Sequence, residues 1–173
     1  MKLKNNIFTA LLLAIGFVLH QITPGILGGM KFDFLLSFLF ISLIINTSFK
    51  NAVLTGLMGG LLSAITTTFP GGQIPNMIDK LLTSILLFLI IQFIRRFSVN
   101  SFSVGAISIL GTLISGITFL LSALIVVGLP TSFSFLFKTV VLPTVLVNAA
   151  LTVFIYHIIR QAMRVSGVQI EQI

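Results

Sequence analysis

Lys31, Asp33, Asp79, Lys80 and Lys138 carry most of the chemistry this sequence offers, because each sits in or beside a short connection between long apolar runs. Lysines and aspartates gathered at one place can take a carboxylate and an ammonium together, so the ligand class they suit is a small zwitterion or a carboxylate. The stretch Phe69-Pro-Gly-Gly-Gln-Ile-Pro-Asn-Met-Ile-Asp79-Lys80 concentrates these features. Pro70 and Pro75 fix φ, and Gly71 and Gly72 let backbone N–H groups approach a ligand closely. Gln73 and Asn76 add amides, and Thr66 precedes the loop. Asn76 is placed to N-cap the following helix, with Asp79 three residues on as a capping-box carboxylate. Lys80 then falls in a first helical turn, where a cation opposes the macrodipole. Asp33 is placed to cap the helix that follows it, and Lys31 to snorkel to the interface.

These residues are positioned by apolar segments. The chain has 173 residues, 57% hydrophobic and 8% charged, where soluble domains carry about 25% charge. It therefore reads as an all-α membrane protein, a single integral, multi-pass domain in the cell membrane. A spanning helix needs roughly 20 mostly apolar residues, and six candidates meet that requirement at 6–22, 32–48, 51–69, 77–95, 103–127 and 136–160. Short connections imply a compact bundle of six transmembrane helices. The first run has no small-x-small cleavage site after it and is kept as a helix, not a signal peptide. With no Cys there is no thiolate nucleophile, disulfide or Cys metal site.

The net charge of +7 comes from Lys and Arg residues placed singly or in pairs at the ends of apolar runs. That pattern reports topology, not a nucleic-acid surface. With both termini cytoplasmic, Lys2, Lys4, Lys50, Arg95, Arg96, Arg160 and Arg164 lie inside, leaving Lys31, Lys80 and Lys138 outside. Those three lysines stand on the disfavoured side and near helix N-termini, so they break two tendencies at once. An anionic ligand group at the outer face relieves both. Phe32, Phe34, Phe69, Phe133 and Phe135 are candidates for an apolar wall.

Small residues recur at four-residue spacing in Ala10-x-x-x-Ala14 and in Gly56-x-x-x-Gly60-x-x-x-Ala64, which allows close helix approach. Gly111, Thr112, Ser115, Gly116, Thr118, Phe119 and Ser122 form one small, mildly polar face directed into the bundle. Pro143 predicts a bend, and Asn148, near mid-membrane, is either interhelical glue or a ligand-binding amide. His157 is placed at the inner surface and His20 at the outer one. Two aspartates and two separated histidines supply no catalytic pair or metal set, so neither enzyme activity nor a cofactor is implied. The absence of a Gly-x-x-x-x-Gly-Lys-Ser/Thr loop means that any ATP must be bound by a partner. No charged residue falls at clear mid-membrane depth, which weakens the alternative of a self-sufficient ion-coupled secondary transporter. Sodium held by carbonyls and hydroxyls keeps that alternative open.

The six short helices, the Ala10 and Ala14 pair and the Phe69–Lys80 loop resemble the bacterial tryptophan transport protein family (TrpP), grouped with the substrate-binding S-components of energy-coupling factor transporters. The resemblance covers nearly the whole chain, with the loop as its specific part. It implies that tryptophan is the substrate and that outer loops and helix ends hold it. It also implies that the small face of helix 1, through Ala10 and Ala14, docks on a membrane coupling protein driven by two cytosolic ATPases. The substrate-binding candidates are then Lys31, Asp33, Thr66, Phe69, Gly71, Gly72, Gln73, Asn76, Asp79, Lys80, Lys138 and Asn148.

Overall fold

The computed structural model describes residues 2–95 and 100–166; Arg96, assigned above to the cytoplasmic side, lies outside the described residues. The long helices are α1 (Lys2–Ile22), α2 (Phe34–Ile45), α3 (Phe49–Thr66), α4 (Gln73–Ile94) and α5 (Ser101–Val126). A short α6 (Phe133–Leu136) then continues through a π-helical turn, Phe137–Val141, into α7 (Leu142–Ser166). The protein is an all-α membrane protein, and among the described residues five segments are long and apolar enough to cross a membrane: Asn5–Ile22, Leu27–Ile45, Gln73–Ile94, Ser101–Val126 and Phe133–Val165. The expected segment 51–69 corresponds to α3, which is diluted by Lys50, Asn51 and three glycines and is not among the five.

The centre of the bundle is legible in α2. Its sequence, Phe-Leu-Leu-Ser-Phe-Leu-Phe-Ile-Ser-Leu-Ile-Ile, is apolar on every face except at Ser37 and Ser42, and such a helix must be covered all round. Every residue from Leu35 to Ile45 is buried, with α1, α3, α4, α5 and α7 all packed on it. Around it α3 lies against α4, α4 against α5, and α5 against α7. The α3–α4 contact depends on the glycine spacing. A Cβ at Gly60 would stand 3.0 Å from Met77 Cα, and one at Gly56 would stand 3.0 Å from Leu81 Cα. These glycines are packing residues.

One helix start differs from expectation, and one expected bend takes a particular form. α4 begins at Gln73 with Gly72 at its N-cap, so Asn76 is not the cap and Asp79 closes no capping box. Pro75 is tolerated in the first turn, where its missing N–H has no intrahelical partner to lose. Asn76 instead donates through Nδ2 to Gly72 O at 2.8 Å, and Lys80 moves beyond the first turn, out of the strongest macrodipole field. The bend expected at Pro143 takes the form of the π-helical turn just before it. Proline lacks the N–H that closes an α-helical bond, and π turns absorb such mismatches.

Away from the charged residues, Thr9, Ser42, Asn51 and Thr55 tie α1, α2 and α3 together. Thr9 Oγ1 donates to Asn51 Oδ1 (3.2 Å), Ser42 Oγ to Thr9 Oγ1 (3.0 Å), and Asn51 Nδ2 to Asn46 O (2.9 Å). Sequence reasoning did not single out this cluster, since four scattered polar residues share no spacing signal.

Candidate functional site

The site forms where the C-terminal ends of α1 and α3 meet the N-terminal ends of α2 and α4. The connection from α1 to α2 folds over this end through a 3-10 turn, Leu27–Gly29. Gly29 has φ 79° there, and a Cβ on it would meet the Thr68 carbonyl and come within 3.1 Å of Phe69 Cα, so only glycine lets the two loops touch. Thr68 Oγ1 fastens them by donating to Gly29 O at 2.7 Å. Gly71, at φ 70°, makes the turn that brings α4 back beside α3.

Below these loops four charges and a histidine form one network. Lys80 Nζ lies 2.6 Å from Asp33 Oδ2 and also pairs with Asp79 Oδ2. Both Asp79 and Lys80 are fully buried, at 0% and 1% exposure, so neither charge is sustainable without the other. Asp79 is further satisfied by Thr83 Oγ1 at 2.9 Å and Ser115 Oγ at 2.9 Å. Lys31 does not snorkel outward as expected. Its Nζ turns inward and donates to His20 O (2.7 Å) and Thr66 O (2.6 Å), joining the ends of α1 and α3. Asp33 does occupy the N-cap position of α2, but its side chain makes no cap hydrogen bond because Lys80 holds it. His20 is buried, with Nδ1 2.6 Å from Thr66 Oγ1 and Nε2 3.8 Å from Asp33 Oδ1.

Beside this network lies a cavity, part of it continuous with solvent. Its polar wall contains His20, Lys31, Asp33, Asn76, Asp79 and Lys80; α5 contributes Thr112 and Ser115. Its apolar wall includes Met30, Phe69, Phe119, Val140 and Val141. Phe69 and Phe119 meet edge to face with ring centroids 5.4 Å apart. The two valines come from the π-helical turn, so the irregularity before Pro143 supplies part of the lining.

Of the candidates, Lys31, Asp33, Phe69, Asn76, Asp79 and Lys80 border the cavity. Thr66 stands behind it, holding His20 and Lys31. Asn148 is also one layer back; its Nδ2 donates to Asp33 O at 3.1 Å and Thr112 Oγ1 at 3.4 Å. Gly71 and Gly72 shape the turn without lining the cavity, Gln73 is exposed, and Lys138 is exposed on the π-helical turn, apart from the other lysines. Among the proposed aromatic residues only Phe69 lines it; Phe32, Phe34, Phe133 and Phe135 do not. His20, assigned only to a surface, and Met30, Val140, Val141 and Thr144 were missed as lining residues. The small face of α5 was the available signal for Thr112, Ser115, Gly116 and Phe119. Lys80 is seven residues into α4, about 10 Å along the axis from its first residue.

A multi-pass helical protein that encloses a polar, charge-balanced cavity beside an aromatic pair has the architecture of a membrane transport protein, and among the described residues no group of three or more His, Asp or Glu could hold a metal. Residues 2–164 match the family described as tryptophan transporter TrpP, and the chain belongs to that family. It is a family of transporters, not of enzymes. Three similar proteins are each described as a probable tryptophan transport protein. That of Clostridium acetobutylicum is 47% identical over 165 residues, covering 95% of this chain and 96% of the relative. That of Clostridium perfringens is 42% identical (95% and 97% covered), and that of Bacillus subtilis is 41% identical (96% of each). No solved structure matches the chain.

Proposed function

We propose that this protein is the substrate-binding membrane subunit of a tryptophan uptake system, holding the amino acid in the cavity between α1, α2, α4 and α5. The observation that carries the reading is the pairing of a neutral overall charge network with an aromatic wall. Lys31 and Lys80 balance Asp33 and Asp79, so a ligand with no net charge leaves no uncompensated charge in a low-dielectric site. Lys31 is held by two carbonyls and no carboxylate, and one of its three N–H donors remains for a substrate carboxylate. Phe69 and Phe119 offer an edge-to-face pair on which an indole packs.

Six spans with both termini in the cytoplasm place this cavity at the outer face, as the lysine and arginine distribution supports. Energy is then supplied by a coupling protein and two ATPases acting on the cytoplasmic side, with Ala10 and Ala14 as the docking face. Both alanines are exposed on α1, beside exposed Ile7, Leu11, Ile15 and Val18. An ion-coupled transporter acting alone is the second reading, favoured by the burial of Asp79 and Lys80 within α4.

Purified protein without ATP is expected to bind tryptophan. The chain has no Trp and one Tyr, so the indole fluorescence of added tryptophan is read against little background. Absence of saturable binding would remove the reading. Topology is checked separately with the cysteine-free chain. An impermeant thiol reagent is expected to label Gln73→Cys in intact cells, and labelling of Ser166→Cys in its place would invert the orientation.

A further inference from the structure

We infer that Asp33 Oδ1 and His20 Nε2 together form the ammonium-binding subsite of the cavity, an inference that rests on the proposed binding of an amino acid there. The hydrogen-bond directions lead to it. Thr66 Oγ1 donates its proton to Leu62 O at 2.7 Å, so toward His20 Nδ1, 2.6 Å away, it acts as acceptor. Nδ1 therefore carries a hydrogen, and whenever the ring is neutral Nε2 presents a lone pair. What Nε2 faces, 3.8 Å away, is Asp33 Oδ1.

That oxygen is an acceptor too. Lys80 is spent on the other carboxylate oxygen, Oδ2, and Oδ1 is shielded from solvent with no hydrogen-bond partner. With the ring neutral, two acceptors of cavity-lining residues thus stand 3.8 Å apart, an arrangement that is costly for a buried carboxylate oxygen without a donor. A primary ammonium carries three N–H donors and a positive charge, and satisfies both acceptors at once. The cations already present do not fill this role: Lys80 bonds Oδ2 and Asp79, and Lys31 is directed to the His20 and Thr66 carbonyls. With the ammonium on Asp33 and His20, the substrate carboxylate is left to Lys31, also on the cavity wall. Discrimination between an amino acid and a plain carboxylate of the same shape then resides in His20 and Asp33.

The test compares tryptophan with indole-3-propionate, which keeps the ring and carboxylate and lacks the amine, as competitors for bound radiolabelled tryptophan in detergent. Wild-type protein is expected to prefer tryptophan by about ten- to a hundredfold, the range for one charge-assisted hydrogen-bonded contact. His20→Leu and Asp33→Asn are each expected to reduce that preference by about tenfold, chiefly by weakening tryptophan. Using the ratio of two ligands on the same sample cancels general damage to the fold. If Asp33→Asn does not fold because Lys80 loses its partner, His20→Leu decides alone, since His20 pairs with no buried cation. An unchanged ratio in the folded variants overturns the subsite while leaving tryptophan binding intact. Failure of wild-type protein to bind tryptophan overturns the underlying reading instead.

Discussion

Replacing Lys80 with alanine is expected to cost the folded protein about 3–5 kcal/mol and to abolish substrate binding, because it leaves two carboxylates without the cation they share. Asp79 is fully buried on α4, and Asp33 is largely buried at the start of α2. Without Lys80, Asp79 retains only hydroxyl donors from Thr83 and Ser115, which do not compensate a buried negative charge. Lys50→Ala is the matched control. Lys50 is exposed in the first turn of α3, and surface substitutions change stability by within about 0.5 kcal/mol. Thermal unfolding in detergent together with tryptophan titration separates the two effects. If Lys80→Ala melts and binds like Lys50→Ala, the ion network is neither a structural nor a binding element.

The double substitution Ala10→Leu with Ala14→Leu is expected to leave tryptophan binding intact and to abolish concentrative uptake in cells. Both alanines are exposed on the outer face of α1, away from the packed residues Leu12, Leu13 and Gly16, so larger side chains meet no neighbour within this chain. His20, the α1 residue at the cavity, lies six residues beyond Ala14, about 9 Å along the helix. A partner helix that approaches closely over small residues, by contrast, is held off by two leucines. The measurements are fluorescence binding on purified protein and uptake in cells expressing the coupling module. Loss of both activities would mean that the pair packs within this chain. Uptake by the wild-type protein alone in liposomes, on an imposed ion gradient, would favour the secondary-transporter reading whatever the variants do.

Composition alone determined that this is a helical membrane protein, because a chain so poor in charge has no surface to offer to water. The apolar runs located the long helices, and the glycine spacing in α3 announced a close contact with a neighbouring helix. The conspicuous loop from Phe69 to Lys80 also leads to the end of the bundle where Lys31, Asp33, Asp79 and Lys80 converge on a cavity. What linear reading cannot supply is direction. Asn76 and Asp79 fit a capping box on spacing, yet α4 starts earlier and Asp79 turns to Lys80, because a buried carboxylate gains more from a cation than from a backbone N–H.

Lys138 shared with Lys31 and Lys80 a place at the end of an apolar run, though without a neighbouring aspartate, and the path of the π-helical turn leaves it exposed while Val140 and Val141 line the cavity. His20 had no motif around it. Its place beside Asp33 depends on how α1 packs against α2 and α3, and on Thr66, 46 residues away, orienting its ring. Side chains from separate helices meet through packing that no local spacing encodes. The sequence therefore determined which groups were available for chemistry, and the tertiary structure decided which of them share a site and which acceptors still need a donor.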